Sequence, residues 1–151
     1  MYAFLSDRKP RSIQAKNKRH SEIYRENIRS AFREYHVNVE LLNGNLYGAV
    51  YYFHSIPTQL DADNLSKPIW DALKDVVYPD DNAIKLRTVG ILDLGSGAPD
   101  ILNVLDLSLM PDSLMTDFLE MIDNKEHILY IEVGELNYGL FRFGCEGVSE
   151  V

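Results

Sequence analysis

The 151-residue chain has a single cysteine, Cys145. That excludes an intramolecular disulfide and leads us to expect a reducing, cytoplasmic setting. No apolar run approaches the roughly 20 residues that a membrane span needs. The opening stretch, MYAFLSDRKPRS, has no long apolar core, so no secretory signal is expected in it. There is no internal repeat and no low-complexity tract. The hydrophobic content of 46% and the charged content of 25% suit a globular protein, and the length suits one domain spanning 1–151.

Basic residues are also scarce, 15 Lys and Arg against 23 Asp and Glu, a net charge of −8. Taken whole, that balance argues against nucleic acid as a partner. Its distribution reverses the argument locally. Residues 1–35 carry nine Lys and Arg against four acids, a net of +5, which leaves −13 for the remainder. Arg8, Lys9, Arg11, Lys16, Lys18 and Arg19 form a basic arm able to make a phosphate-binding surface on an acidic body. The plainer reading is a solvated arm.

The chemistry concentrates in Asp61-Ala62-Asp63-Asn64-Leu65-Ser66-Lys67, followed by Tyr78-Pro79-Asp80-Asp81. Asp61 and Asp63 are spaced i, i+2, which puts both side chains on one side of an extended backbone. A helix follows, with Asp63 or Asn64 as its cap. Pro68 has no N–H to donate, so the helix is expected to start near Leu65 or Ser66, leaving both acids extended. Lys67 then lies in or near its first turn, and Asp71, at i+4, is placed to orient the ammonium. Leu65, Ile69, Leu73 and Val76/Val77 make the buried face. A strand-to-helix junction and the turn after the helix can bring Asp61, Asp63 and one of Asp80 and Asp81 to one point. Converging carboxylates without His or Cys favour a hard cation, Mg²⁺ or Mn²⁺.

The whole pattern, DADNLSKPIWDALKDVVYPDDNAI, resembles the core motif of the RusA-type Holliday junction endodeoxyribonucleases. Its parts are Asp-x-Asp-Asn-x-x-Lys, a short Asp-Ala-Leu helix and an Asp-Asp pair opening a strand, all present and in order. The match is strongest from about Tyr51 to Leu92 and leaves much of the last third uncovered. The resemblance implies Asp61, Asp63 and Asp81 as metal ligands, Lys67 as a catalytic cation and Asp80 as an outer or second-metal residue. It also implies a four-way DNA junction as substrate and a homodimer as the active form.

The rest of the chain reads as an α+β protein, a mixed sheet packed with helices in β-α-β-β-α-β-β order, with a helical insertion before the last strands. Tyr2–Leu5 is a first strand. Tyr24, Ile28, Ala31/Phe32 and Tyr35 recur at helical spacing over about 19–35, with Arg25, Arg29 and Arg33 as a stripe on another face. That stripe is either solvated or phosphate-contacting. Val37–Leu42 and Leu46–Phe53 read as strands around Asn43-Gly44-Asn45, a hairpin signal. Ala83–Leu94 is a strand on which Lys85 and Arg87 alternate to one side, as DNA contacts or as a solvated edge. Gly95-Ser96-Gly97-Ala98-Pro99 breaks it, and residues 100–125 form the insertion. There Pro111-Asp112 opens a helix with Leu114, Phe118 and Met121/Ile122 on its apolar side. Its acids, Asp112, Asp117, Glu120 and Asp123, read as a solvated face. His127–Val133 and Tyr138–Phe143 complete the strands, and the last residues are expected to fray.

Three functions are weighed. The first is a Mg²⁺-dependent endonuclease acting on branched DNA. The second is a non-catalytic DNA-binding or regulatory relative, and the third an acidic protein that mimics DNA. Lys67 among the acids and the basic arm favour the first.

Overall fold

A computed structural model of the chain describes residues 1–12, 16–95 and 98–144. Its elements are β1 (Tyr2–Ser6), α1 (Lys18–Tyr35), β2 (Leu46–His54), α2 (Ala62–Leu73), β3 (Ile84–Asp93), α3 (Ala98–Val104), α4 (Asp112–Asn124) and β4 (His127–Glu135). The four strands form one mixed sheet in the order β1-β4-β2-β3. β4 runs antiparallel to both β1 and β2, whereas β2 and β3 are parallel. The class is α+β, as the hydrophobic patterning implies.

A parallel pair needs a crossover, and α2 supplies it. β2 ends at His54, beside Asp93 at the end of β3, and β3 starts beside Leu46. The chain therefore enters α2 at one end of the sheet and leaves it toward the other. This decides where the acids fall.

α1 starts at the cap Asn17, whose side chain accepts from the His20 N–H. Its buried residues, Tyr24, Ile28, Ala31 and Phe32, follow the expected period. With Leu65, Ile69 and Trp70 of α2 they pack over Phe4, Val50, Tyr52 and Ile131 on one face of the sheet. The opposite face is packed by Leu114 and Phe118 of α4, against Leu5, Phe53, Ile128 and Tyr130.

Two expected strands do not form. Residues 37–42 run as an irregular connection. Both backbone groups of Glu40 bond the Tyr2 hydroxyl, and the Leu42 N–H donates to Val77 O. With β4 on one side of β2 and β3 on the other, no edge is left for a hairpin partner. Gly44 is nonetheless a turn residue, at φ +82°. Tyr138–Leu140 is a single 3-10 turn, capped by Asn137. The insertion holds two helices; α4 opens at Asp112 as expected, and α3 had no clear periodic signal. Its Asp117 is not simply solvated, for it accepts from the Tyr35 hydroxyl at 2.8 Å and ties α4 to the end of α1. Cys145 and the end expected to fray lie outside the described residues, as do Ser96 and Gly97 of the strand break. No described helix is long and apolar enough to cross a membrane.

Candidate nuclease site

α2 begins earlier than Pro68 suggests. Asp61 is its cap: Oδ1 accepts from the Asn64 N–H and Oδ2 from the Asn64 side-chain amide, both at 2.9 Å. Asp63 lies inside the first turn, not on an extended strand. The helix tolerates Pro68 beyond its first turn, forgoing the bond that residue 68 would donate to the carbonyl four residues back. The Asp61 cap, Asp63 beside the positive helix end and the full burial of Leu65, Ile69 and Trp70 together offset that loss.

Lys67 projects one turn further on. Its ammonium bonds Asp71 Oδ1 at 2.7 Å and Asp81 Oδ2 at 2.8 Å. The expected Lys67–Asp71 pairing is therefore present, and Asp81 joins it from the chain after the helix. Getting Asp81 there takes a tight return. Asp75 adopts φ +63°, a left-handed conformation that Asp tolerates better than most residues. Its N–H bonds Tyr78 O, and Tyr78 sends its hydroxyl to Trp70 O. From α1, Arg29 donates to the carbonyls of Ala72 and Lys74, satisfying the end of α2. Of the arginine stripe, Arg29 is thus structural and Arg33 pairs with Glu26 on the same helix.

Asp81 opens a 3-10 turn rather than the strand itself. Its side chain is only 16% exposed, and Arg87 reaches back from β3 to its Oδ2 at 3.1 Å and its carbonyl at 2.8 Å. The Lys67 hydrogen bond, with Arg87 adding to it, holds the Asp81 carboxyl below the usual carboxylate range. Asp71 and then Asp81 push the Lys67 ammonium up. Asp80 points elsewhere: it caps the 3-10 turn through the Asn82 N–H and lies 3.8 Å from Lys74. Arg87, expected beside Lys85 as a DNA contact, is thus part of the acidic site, while Lys85 stays exposed. Neither Asp63 nor Asn64 is the cap that the sequence suggests; Asn64 is instead the clamp on the capping Asp61.

The acids do not close into one cluster. Among the described residues, no three His, Cys, Asp or Glu side chains are gathered to hold a metal. The crossover explains this. Asp81 meets α2 at the level of Lys67 and Asp71, one to two turns beyond Asp63, roughly 6–12 Å along the axis. An open depression of about 610 Å³ lies along that stretch, lined by Asp63, Ser66, Lys67, Arg87 and Val89. Asp63 is exposed and has no hydrogen bond or ion pair among the described residues, and both side-chain bonds to Asp81 fall on Oδ2, leaving Oδ1 free. This all-oxygen donor set fits Mg²⁺, which takes one or two carboxylates and fills its remaining positions with water and phosphate.

In the basic arm, Arg11 bonds Asn17 O at 2.7 Å and the Arg8 N–H bonds the Ser6 hydroxyl. Lys9, Lys16, Lys18 and Arg19 are exposed.

A family model described as endodeoxyribonuclease RusA matches residues 8–101. That span runs from the basic arm through the whole acidic motif and stops where the insertion begins. No curated protein matches the chain.

Proposed function

The chain belongs to the RusA endodeoxyribonuclease family, and on that premise we propose that it is a Mg²⁺-dependent endonuclease that nicks four-way DNA junctions as a homodimer in the cytoplasm. The observation that carries this reading is Lys67, held between Asp71 and Asp81 beside a depression that the unpaired Asp63 borders. Asp61, Asp63 and Asp81, which do not converge on one point, would hold one or two cations whose remaining positions are filled by water and phosphate, with Mn²⁺ as a substitute. Bound there, such a cation supplies a water nucleophile at neutral pH and positive charge against the phosphate.

The chain's own groups do the rest. Asp71 and Asp81 fix the Lys67 ammonium and keep it protonated, so it arrives as a charge already oriented toward the depression. A charge placed in advance stabilises the negative charge that builds on the phosphate oxygens in the transition state. Arg87 shares Asp81 with Lys67 and can turn to a phosphate when the strand binds. Asn64 holds Asp61 in place. Asp80 acts from outside the pair, through the turn that presents Asp81. The basic arm, with Lys85, supplies phosphate contacts that the acidic body lacks.

The test is a Mg²⁺ titration with four-way junction and duplex DNA, run with wild type and Asp63→Asn. Wild type should nick the junction only with the metal, and the variant should bind but not cut. Near-wild-type cutting by Asp63→Asn sinks the site assignment. Binding without cutting by the wild type makes the chain a non-catalytic relative.

A further inference from the structure

A second hollow adjoins the proposed site and is not used by it. Its volume is about 210 Å³, and Arg11, Ser12, Ser21, Tyr24, Arg25, Pro68 and Asp71 line it. It lies on the seam between the N-terminal arm, α1 and α2. Asp71 is its wall toward the nuclease depression, because the same carboxylate holds Lys67, which lines the other side.

The lining is rich in donors. Two arginines and three hydroxyl residues line the hollow with one carboxylate, which is bonded to Lys67; Arg11 and the Ser21 hydroxyl already donate to Asn17 O. Tyr24 is the informative member. Its side chain is packed into the core at 6% exposure, yet its hydroxyl has no hydrogen-bond partner of acceptable geometry among the described residues. The backbone of Arg11 lies against it, and burial pushes the phenol up, so it keeps its proton. A bond from the Arg11 N–H would occupy an oxygen lone pair and still leave the Tyr24 O–H undonated. A buried phenol with an unspent proton is costly unless a ligand accepts it. Arg25, one residue on, is exposed and forms no hydrogen bond or ion pair among the described residues.

Resting on the nuclease reading, we propose that this seam is a subsite for one uncleaved phosphate of the bound DNA strand, next to the phosphate presented to Lys67. Tyr24 would donate its hydroxyl proton to it and Arg25 would neutralise it. Arg11 closes the arm side. A tetrahedral anion with several acceptor oxygens matches a pocket of converging donors. The shared Lys67–Asp71 pair makes the two hollows neighbours along one strand.

Two variants and two ligands test this. Tyr24→Phe removes only the oxygen, and Arg25→Gln only the charge. In junction binding without Mg²⁺, each should weaken affinity, Arg25→Gln by about tenfold, and Arg25→Gln should flatten the slope of log K against log salt by about 0.9. Tyr24→Phe should leave the melting temperature unchanged or raise it, since a buried unpaired hydroxyl is lost. A merely structural Tyr24 would lower it. Separately, inorganic phosphate should raise the wild-type melting temperature above chloride at equal ionic strength, and do so less in both variants. Wild-type-like DNA binding by both variants overturns the subsite while leaving the nuclease reading intact. If only the phosphate shift responds, the pocket takes an adventitious ion only and the proposal fails. A chain that binds no DNA sinks the nuclease reading and the DNA subsite with it, and the phosphate arm then shows whether the pocket takes an anion at all.

Discussion

On the face of the sheet covered by α1 and α2, the Trp70 ring lies so close over Gly48 that a Cβ there would sit 2.7 Å from it. On the other face, α4 presses Phe118 edge-on to Phe53, with ring centroids 5.0 Å apart. Past that contact the sheet is left beneath a hollow of about 610 Å³, lined by Tyr47, Tyr51, Leu92, Leu105 and Met110 among others. The family match covers the first face's helices and stops before α4. The first face leaves an open depression of the same volume, but its charged rim stands on a helix packed tightly to the sheet, the fixed geometry that the proposed site requires. Lys67 and Asp81 meet at fixed distance only because Trp70, Leu65 and Ile69 pin α2 down from beneath. The second face needs only to be covered.

The comparison can be broken most directly at Phe118, which is fully buried. Phe118→Ala should cost about 3–5 kcal/mol, read as a fall in the denaturant midpoint. A loss below about 1 kcal/mol would mean that α4 is an appendage and that the second face needs no cover.

On the first face, Lys67→Ala should lower turnover on junction DNA by roughly 3 kcal/mol of transition-state stabilisation while changing affinity much less. Single-turnover rates set against binding isotherms separate the two. A variant that binds poorly but turns over normally would make Lys67 a phosphate anchor.

Gly48→Ala should destabilise by about 1–3 kcal/mol through overpacking against Trp70. Thermal unfolding measures it, and a neutral result would show that Trp70 has room to shift and that this face is looser than its contacts imply.

The ion pairs of the first face add a pH signature. Asp81 has a depressed carboxyl, so its contribution to stability is present above the unfolded Asp pKa and is lost as pH falls through its lower folded value. Lys67 is raised, so its contribution is present below the unfolded Lys pKa and is lost as pH climbs through the higher folded value. Urea midpoints followed across the acid limb should fall less steeply in Asp81→Asn than in wild type. Parallel limbs would mean that the pairing adds nothing to stability.

The smallest effect belongs to the rim of the hollow. Met110 is only half-buried, so Met110→Ala should cost under about 1 kcal/mol by the same denaturation assay, well below the range for a fully buried methionine. A cost of several kcal/mol would show that the second face is as tightly filled as the first.

Local order along the chain was enough for much of this protein. The periods of Tyr24-Ile28-Phe32 and of Leu114-Phe118 reveal α1 and α4 because a buried helical stripe repeats wherever the helix finally packs. Lys67 and Asp71 pair because i, i+4 neighbours on a helix need no tertiary information. Other features had to wait for the fold. Val37–Leu42 has strand-like residues and a turn signal, yet β4 arrives from more than 70 residues away and takes the place beside β2 that a hairpin would have used. Strand pairing is a competition between distant segments, and local composition cannot rank the competitors. The spacing of Asp61 and Asp63 looked extended because Pro68 seemed to delay the helix; the Asp61 cap and the buried face of Leu65, Ile69 and Trp70 together offset one missing hydrogen bond. Arg87 read as an outward cation, and its turn toward Asp81 depends on where the crossover brings the chain back. The separation of Asp81 from Asp63 has the same origin: a parallel β2–α2–β3 unit enters and leaves its helix at opposite ends, and only the assembled sheet sets that distance.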